Sequence, residues 1–274
     1  MTWVRKMGKY FSGFVGLICI TIFNACYEPV EGCLDPDALN YNVSADNMCE
    51  ECCQLPNLNI FFSFRDRERP ITLGDTLDLS SGLFIIENFS FFLSDIQFYD
   101  QNSKPLIFED SLRFVQQSTP ITIINNFRYF DRMNFGGELK EMRFSGKLTH
   151  MKFKVGLPSV MNYRPPDSLR LIPGMGNFPN SVFGGAEAGY RFLSVSLRVP
   201  QTTTTINLLV FNEYPLSEGM VVIPDLEVPR GSRVILNVIL DLHRWLENVP
   251  VMGMANEWKE PLIRNFTQSI SFRP

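Results

Sequence analysis

The stretch 83–99, LFIIENFSFFLSDIQFY, constrains the fold more than any other part of the chain. It holds no Gly or Pro and is crowded with aromatic and β-branched side chains, which suit a pleated strand better than a surface helix. In an extended chain Ser90, Phe92, Ser94, Ile96 and Phe98 fall on one side, and Phe89, Phe91, Leu93 and Asp95 on the other. Large apolar groups on both sides place such a strand between two packed layers. Its small polar residues are of a kind that a sandwich interior can hydrogen-bond. The stretch predicts a central core strand and carries no chemistry of its own.

The rest of the body follows the same period. Leu58, Ile60, Phe62 and Phe64 alternate with Asn59, Phe61, Ser63 and Arg65, a first strand. Further strands are predicted at 105–108, 122–125, 140–155, 190–199, 203–211 and 233–242, with a short strand or loop at 72–79. Residues 241–247 read as a short helix and 263–272 as a final docked element. Nine or ten strands without a βαβ rhythm predict an all-β protein, an antiparallel β-sandwich with long Pro/Gly-rich loops. The longest loop, 157–185, is the kind of segment that carries binding sites. Its aromatics Tyr163, Phe178 and Phe183 are candidate partner contacts; folding back onto the sandwich is the alternative.

The N-terminus reads as an address. Arg5, Lys6 and Lys9 precede an apolar run at 14–20, too short to span a bilayer, and then Ala25-Cys26. With Phe23 three residues ahead of Cys26, this resembles a bacterial lipobox. Residues 1–25 are then a lipoprotein signal peptide and Cys26 the acylated first residue of the mature chain, with more than one hydrocarbon chain for stable attachment. Ordinary signal-peptidase cleavage, leaving a soluble periplasmic protein, is the alternative. Glu28 and Glu31 favour the outer membrane, on its periplasmic or cell-surface face.

Residues 26–56 form a cysteine-rich neck holding Cys33, Cys49, Cys52 and Cys53. An oxidising compartment makes disulfides the expectation, in any of three connectivities. A four-thiolate zinc site is the rival, with one C-x-x-C at Cys49 and Cys52. The run 32–42, GCLDPDALNYN, resembles GC-TDP-x-A-x-NY modules of secreted Bacteroidota proteins. Asp35, Asp37, Asn40 and Asp46 are candidate oxygen ligands for Ca²⁺, or Asx-turn residues capping backbone amides.

Net charge is only −4, which gives no nucleic-acid footprint. Only two histidines, His150 and His243, are present, too few for a His-rich metal site. His150 lies between lysines on an alternating strand and reads as a surface residue. There is no G-x-S-x-G, H-E-x-x-H, P-loop or G-x-G-x-x-G, and catalysis is not expected.

Several short pieces share one order. They are Leu58-Asn59-Ile60; 91–96, FFLSDI; Val155-Gly156-Leu157-Pro158 with Asn162; 189–193, GYRFL; 239–242, ILDL; and Ile263 with Asn265. Together they resemble the MbnP-like family over residues 57–274. These are exported β-sandwich proteins named after a periplasmic copper-binding protein. The resemblance implies a copper site of histidines and an oxidised Trp from a loop before the Gly-Tyr pair. Here that loop, 181–188, has no Trp, and the first strand reads Phe62-Ser63-Phe64-Arg65 where a His is implied. Only His243 remains, and Cu(II) prefers several nitrogen ligands. The expectation is a retained scaffold without its copper. The chain then reads as a non-catalytic outer-membrane lipoprotein, an accessory subunit docking on a β-barrel protein in assembly, secretion or uptake machinery. Copper or other metal binding at His243 is the alternative, and a Ca²⁺-stabilised receptor for carbohydrate or peptide a third reading.

Overall fold

The computed structural model describes residues 27–106, 111–116, 118–139, 142–170, 178–211 and 216–272. The expected signal peptide and Cys26 lie outside them. The chain divides into two compact units, residues 1–35 with 40–53 and residues 36–39 with 54–274.

In the smaller unit β1 (Glu31–Gly32) pairs in parallel with β2 (Asn47–Met48), followed by a 3₁₀ turn at Glu50–Cys52. So short a segment cannot bury a core of its own, and a cross-link takes its place. Cys33, itself buried, is bonded to Cys53. Cys49 and Cys52 remain thiols, so the four cysteines form one bridge and not two.

The larger unit holds fourteen strands among the described residues. They are β3 (Leu58–Asp66), β4 (Arg69–Pro70), β5 (Thr76–Leu79), β6 (Gly82–Asp100), β7 (Ser111–Gln116), β8 (Thr119–Ile124) and β9 (Arg128–Asp131). After these come β10 (Gly136–Leu139), β11 (Gly146–Val155), β12 (Arg191–Arg198), β13 (Thr205–Phe211), β14 (Ser217–Val228), β15 (Val234–Asp241) and β16 (Ile270–Phe272). One sheet runs β10-β3-β15-β16 with β4 on β3; the other runs β13-β12-β6-β11-β14 with β5 and β9 on β6. The two sheets face each other across one core, as the alternation predicts. One pairing departs from the antiparallel expectation: β3 and β15 run parallel, Leu58 beside Val234 through Arg65 beside Asp241.

Strand β6 is the predicted central strand, but its parity changes midway. Phe89, Phe91 and Leu93 enter the main core, and so do Ile96 and Phe98 from the opposite parity. The switch is a bulge at Asp95, whose φ is +48°; β11 pairs Lys154 with Ser94 but Lys152 with Gln97 across it. An extra residue in one strand turns every later side chain to the other face. Phe62, Phe91 and Phe130 pack edge-on and stacked within 4.8–5.2 Å, and Phe266 meets Phe91 at 5.0 Å. Burying each such ring contributes about 1.5–3 kcal/mol.

Phe92 points away, into a second core with Phe178, Tyr190, Phe192, Leu157, Met161 and Leu169. The described parts of the predicted loop 157–185 are therefore a folded cover. It contains helices α1 (Ser159–Asn162) and α2 (Pro166–Arg170) and a 3₁₀ turn at Asn180–Val182. After β15 come α3 (Leu242–Leu246), as predicted, and α4 (Ala255–Gln268), longer than the docked element foreseen. Trp258, Leu262 and Phe266, four residues apart, are its buried stripe. Among the described residues no helix is long and apolar enough to cross a membrane.

Candidate functional site

The parallel pairing of β3 with β15 brings the end of the first strand to the start of α3, and there the polar groups gather. Asp241, the last residue of β15, caps α3: its Oδ1 accepts from the Arg244 amide at 3.1 Å and from the Arg67 amide at 3.3 Å. Arg67 closes the tight turn between β3 and β4 with φ +56°, a conformation costly for a side chain with a Cβ. Trp245, buried beside the cluster, donates its indole N–H to Leu262 O at 3.0 Å and so fixes α3 on α4.

His243 sits on the first turn of α3 and is 8% exposed. Its Nδ1 lies 3.3 Å from Asp66 Oδ1, and its Nε2 lies 2.8 Å from Glu247 Oε2 and 2.9 Å from an Arg67 guanidinium nitrogen. A guanidinium only donates, so with Arg67 as partner Nε2 accepts and the ring proton on Nδ1 faces Asp66. The Glu247 carboxylate, one turn further along, meets the same nitrogen and can only accept, so Arg67 and Glu247 ask opposite roles of Nε2. Asp66 is held in turn by Arg69 at 3.1 Å. The result is a half-buried network of two carboxylates, two guanidiniums and one imidazole.

This set does not fit copper. One imidazole nitrogen, Nε2, is already met by a permanent cation, and the remaining donors are carboxylates where Cu(II) favours nitrogen. Among the described residues no three His, Cys, Asp or Glu side chains are grouped to hold a metal ion. His150 is elsewhere, on β11, stacked on Tyr99 at 4.3 Å and 10°. Burial, and secondarily the Lys152 charge, lowers its pKa from 6.5.

The other sequence candidates are scattered. Tyr163 is 45% exposed, whereas Phe178 is buried at 6% and Phe183 is half-buried against Tyr190 at 4.9 Å, so only Tyr163 of the three presents itself to a partner. In the neck, Asp46 accepts from the Tyr27 hydroxyl and, at 2.9 Å, from the Val30 amide. The Tyr27 bond, then the Val30 amide, lowers its pKa. Asn40 donates to Cys52 O at 2.7 Å, and Asp35 lies in the same unit while Asp37 belongs to the other. Cys52 Sγ donates to Cys49 O at 3.0 Å, which places the C-x-x-C residues side by side as thiols.

Asp66, Arg67 and Glu247 were not singled out by the sequence. Glu247, four residues after His243 on a predicted helix, was the available signal. Two of the residues behind the family resemblance, Asn162 and Gly189, are structural instead. Asn162, fully buried, accepts the Tyr190 amide at 2.8 Å, and Gly189, φ +69°, leaves room for it. Its Cβ would stand 2.7 Å from Asn162 Cγ.

The architecture is that of an all-β sandwich domain with a disulfide-closed neck, bearing a polar cluster where a late histidine meets the first strand. A family model described as MbnP matches residues 56–260, and the chain belongs to that family. Among solved structures, MbnP from Methylosinus trichosporium is similar at 12% identity, covering 68% of this chain and 75% of that one with a TM-score of 0.46. No curated protein matches.

Proposed function

We propose that this protein is a non-catalytic interaction subunit of the outer membrane, tethered through acylated Cys26, in which the family scaffold serves to bind a partner and not copper. The observation that carries the reading is the Arg67 guanidinium 2.9 Å from His243 Nε2, which takes up one of the two ring nitrogens open to a metal. Strand β14 supports a docking role. It ends the larger sheet and exposes Met220 and Val222 at 61% and 67%. An end strand with apolar side chains is a natural site for a partner. The partner proposed is an outer-membrane β-barrel protein.

The test is recovery of the tagged, lipidated protein from its native envelope in mild detergent, with copper measured on the same sample. Stoichiometric recovery of a barrel protein without copper supports the reading. The protein recovered alone, or carrying one copper per chain, overturns it. The second reading, metal at His243, draws on the buried Asp66 Oδ1 and His243 Nδ1, which face each other without a well-aligned hydrogen bond.

A further inference from the structure

Apart from the His243 cluster, the larger unit contains a cavity of about 310 Å³ lined by Phe64, Phe89, Phe135, Ile71, Leu73 and Ile86, with Thr72 and Arg132 at its rim. Its volume is at the lower end of small-molecule sites, which run from about 300 Å³ upward. Three aromatic rings make the wall: Phe64 meets both Phe89 and Phe135 at 4.5 Å. Wall residues Ile71, Ile86 and Phe89 are buried at 4% or less, whereas Thr72 and Arg132 are exposed, so the cavity opens beside them.

The polar groups at the rim are unequal. The Thr72 amide and hydroxyl both donate to Asp75 Oδ2, at 2.8 and 3.2 Å, which spends that carboxylate within its own turn. Asp131, beside Arg132, accepts the Met133 and Asn134 amides at 2.8 Å. The Arg132 guanidinium has no hydrogen bond or ion pair among the described residues. An apolar chamber with one uncommitted cation at its mouth is complementary to a molecule with an apolar body and a single anionic end. Guanidinium binds carboxylate through two parallel N–H···O bonds.

We infer that this cavity is a binding site for a small amphipathic carboxylate, its apolar body among the phenylalanines and its carboxylate on Arg132. The site is independent of the partner-binding reading; its wall also includes Leu242, the residue before His243.

Calorimetric titration of octanoate and of octanol into the full chain carrying Cys26→Ser, which removes the expected acylation site, tests it. Octanoate binds one to one. Arg132→Gln, a change at an exposed side chain, weakens octanoate about tenfold, the loss of one charge-assisted contact, and leaves octanol unchanged. Leu73→Phe, which narrows the chamber, weakens both. No heat with octanoate at millimolar concentration, or an Arg132→Gln protein that binds it as the parent does, overturns the assignment.

Discussion

Replacing Gly189 by alanine tests the latch between the cover segment and β12. The residue has φ +69°, which costs an L-residue about 1–2 kcal/mol. A Cβ there would also sit 2.7 Å from Asn162 Cγ, in a site with no free volume, where overpacking costs about 1–3 kcal/mol. Gly189→Ala should therefore lose about 2–5 kcal/mol in all. Asn162→Ala leaves the buried Tyr190 amide without its acceptor and should cost about 1–3 kcal/mol. In the double variant the overpacking vanishes, because the group that the new methyl strikes is gone. Only strain and the lost hydrogen bond then remain, so the pair is less destabilising than the sum of its parts by about 1–3 kcal/mol. Gly185→Ala, with φ +101° and nothing within 4 Å, is the control that reads strain alone. Urea unfolding of the four variants, with midpoints and slopes compared, measures the cycle. Additivity within about 0.5 kcal/mol would refute the contact.

Three other outcomes follow from the geometry. Arg67→His exchanges the guanidinium for a second imidazole beside His243, and should convert a protein without stoichiometric Cu(II) into one that binds it, read by equilibrium dialysis. The His150 ring should titrate below 6.5 by NMR. The folded state then binds fewer protons than the unfolded one between the lowered value and 6.5, so this residue's contribution to stability grows as pH rises through that window and is lost on acidification; Lys152→Gln should move the titration back toward 6.5. Alkylation of the unreduced protein followed by peptide mapping should modify Cys49 and Cys52 and spare Cys33 and Cys53; because the hydrogen bond with Cys49 raises the Cys52 pKa, its labelling should accelerate above neutral pH.

Much of the sandwich was written in local pattern. The run through Phe89, Phe91 and Leu93 announced a strand between layers, and Leu58 to Phe64 announced its neighbour across the core. What escaped was whatever a single residue decides. The bulge at Asp95 inverts the faces of Ile96 and Phe98, and nothing in FFLSDIQFY marks it, since Asp reads equally well as an outward residue. The helix at Ala255–Gln268 was hidden by Pro261 within it, although Trp258, Leu262 and Phe266 keep a fourfold spacing. The Pro/Gly-rich 157–185 segment looked like surface because its composition is that of loops, yet Phe178 and Leu169 are core. At the site, His243 was legible and its company was not. Asp66 and Arg67 stand more than 170 residues away in sequence, and only a parallel pairing that no local period encodes brings them together.

That pairing also sets the order in which the molecule can be made. Strand β3 lies between β10 and β15, and β15 in turn carries β16, so two of the five strands of the smaller sheet come from residues 234–272. A chain emerging from the ribosome has synthesised β3 long before its parallel neighbour exists, and closing so long a loop is slow as well as late. Until residue 240 or so is available, the edge of β3 that β15 covers is unpaired, next to the apolar face of Leu58, Ile60 and Phe62, and an unpaired edge of this kind associates with other chains. Folding of this domain therefore waits until β15 has been made, and a chain shortened anywhere before β15 should aggregate instead of settling into a smaller version of the fold.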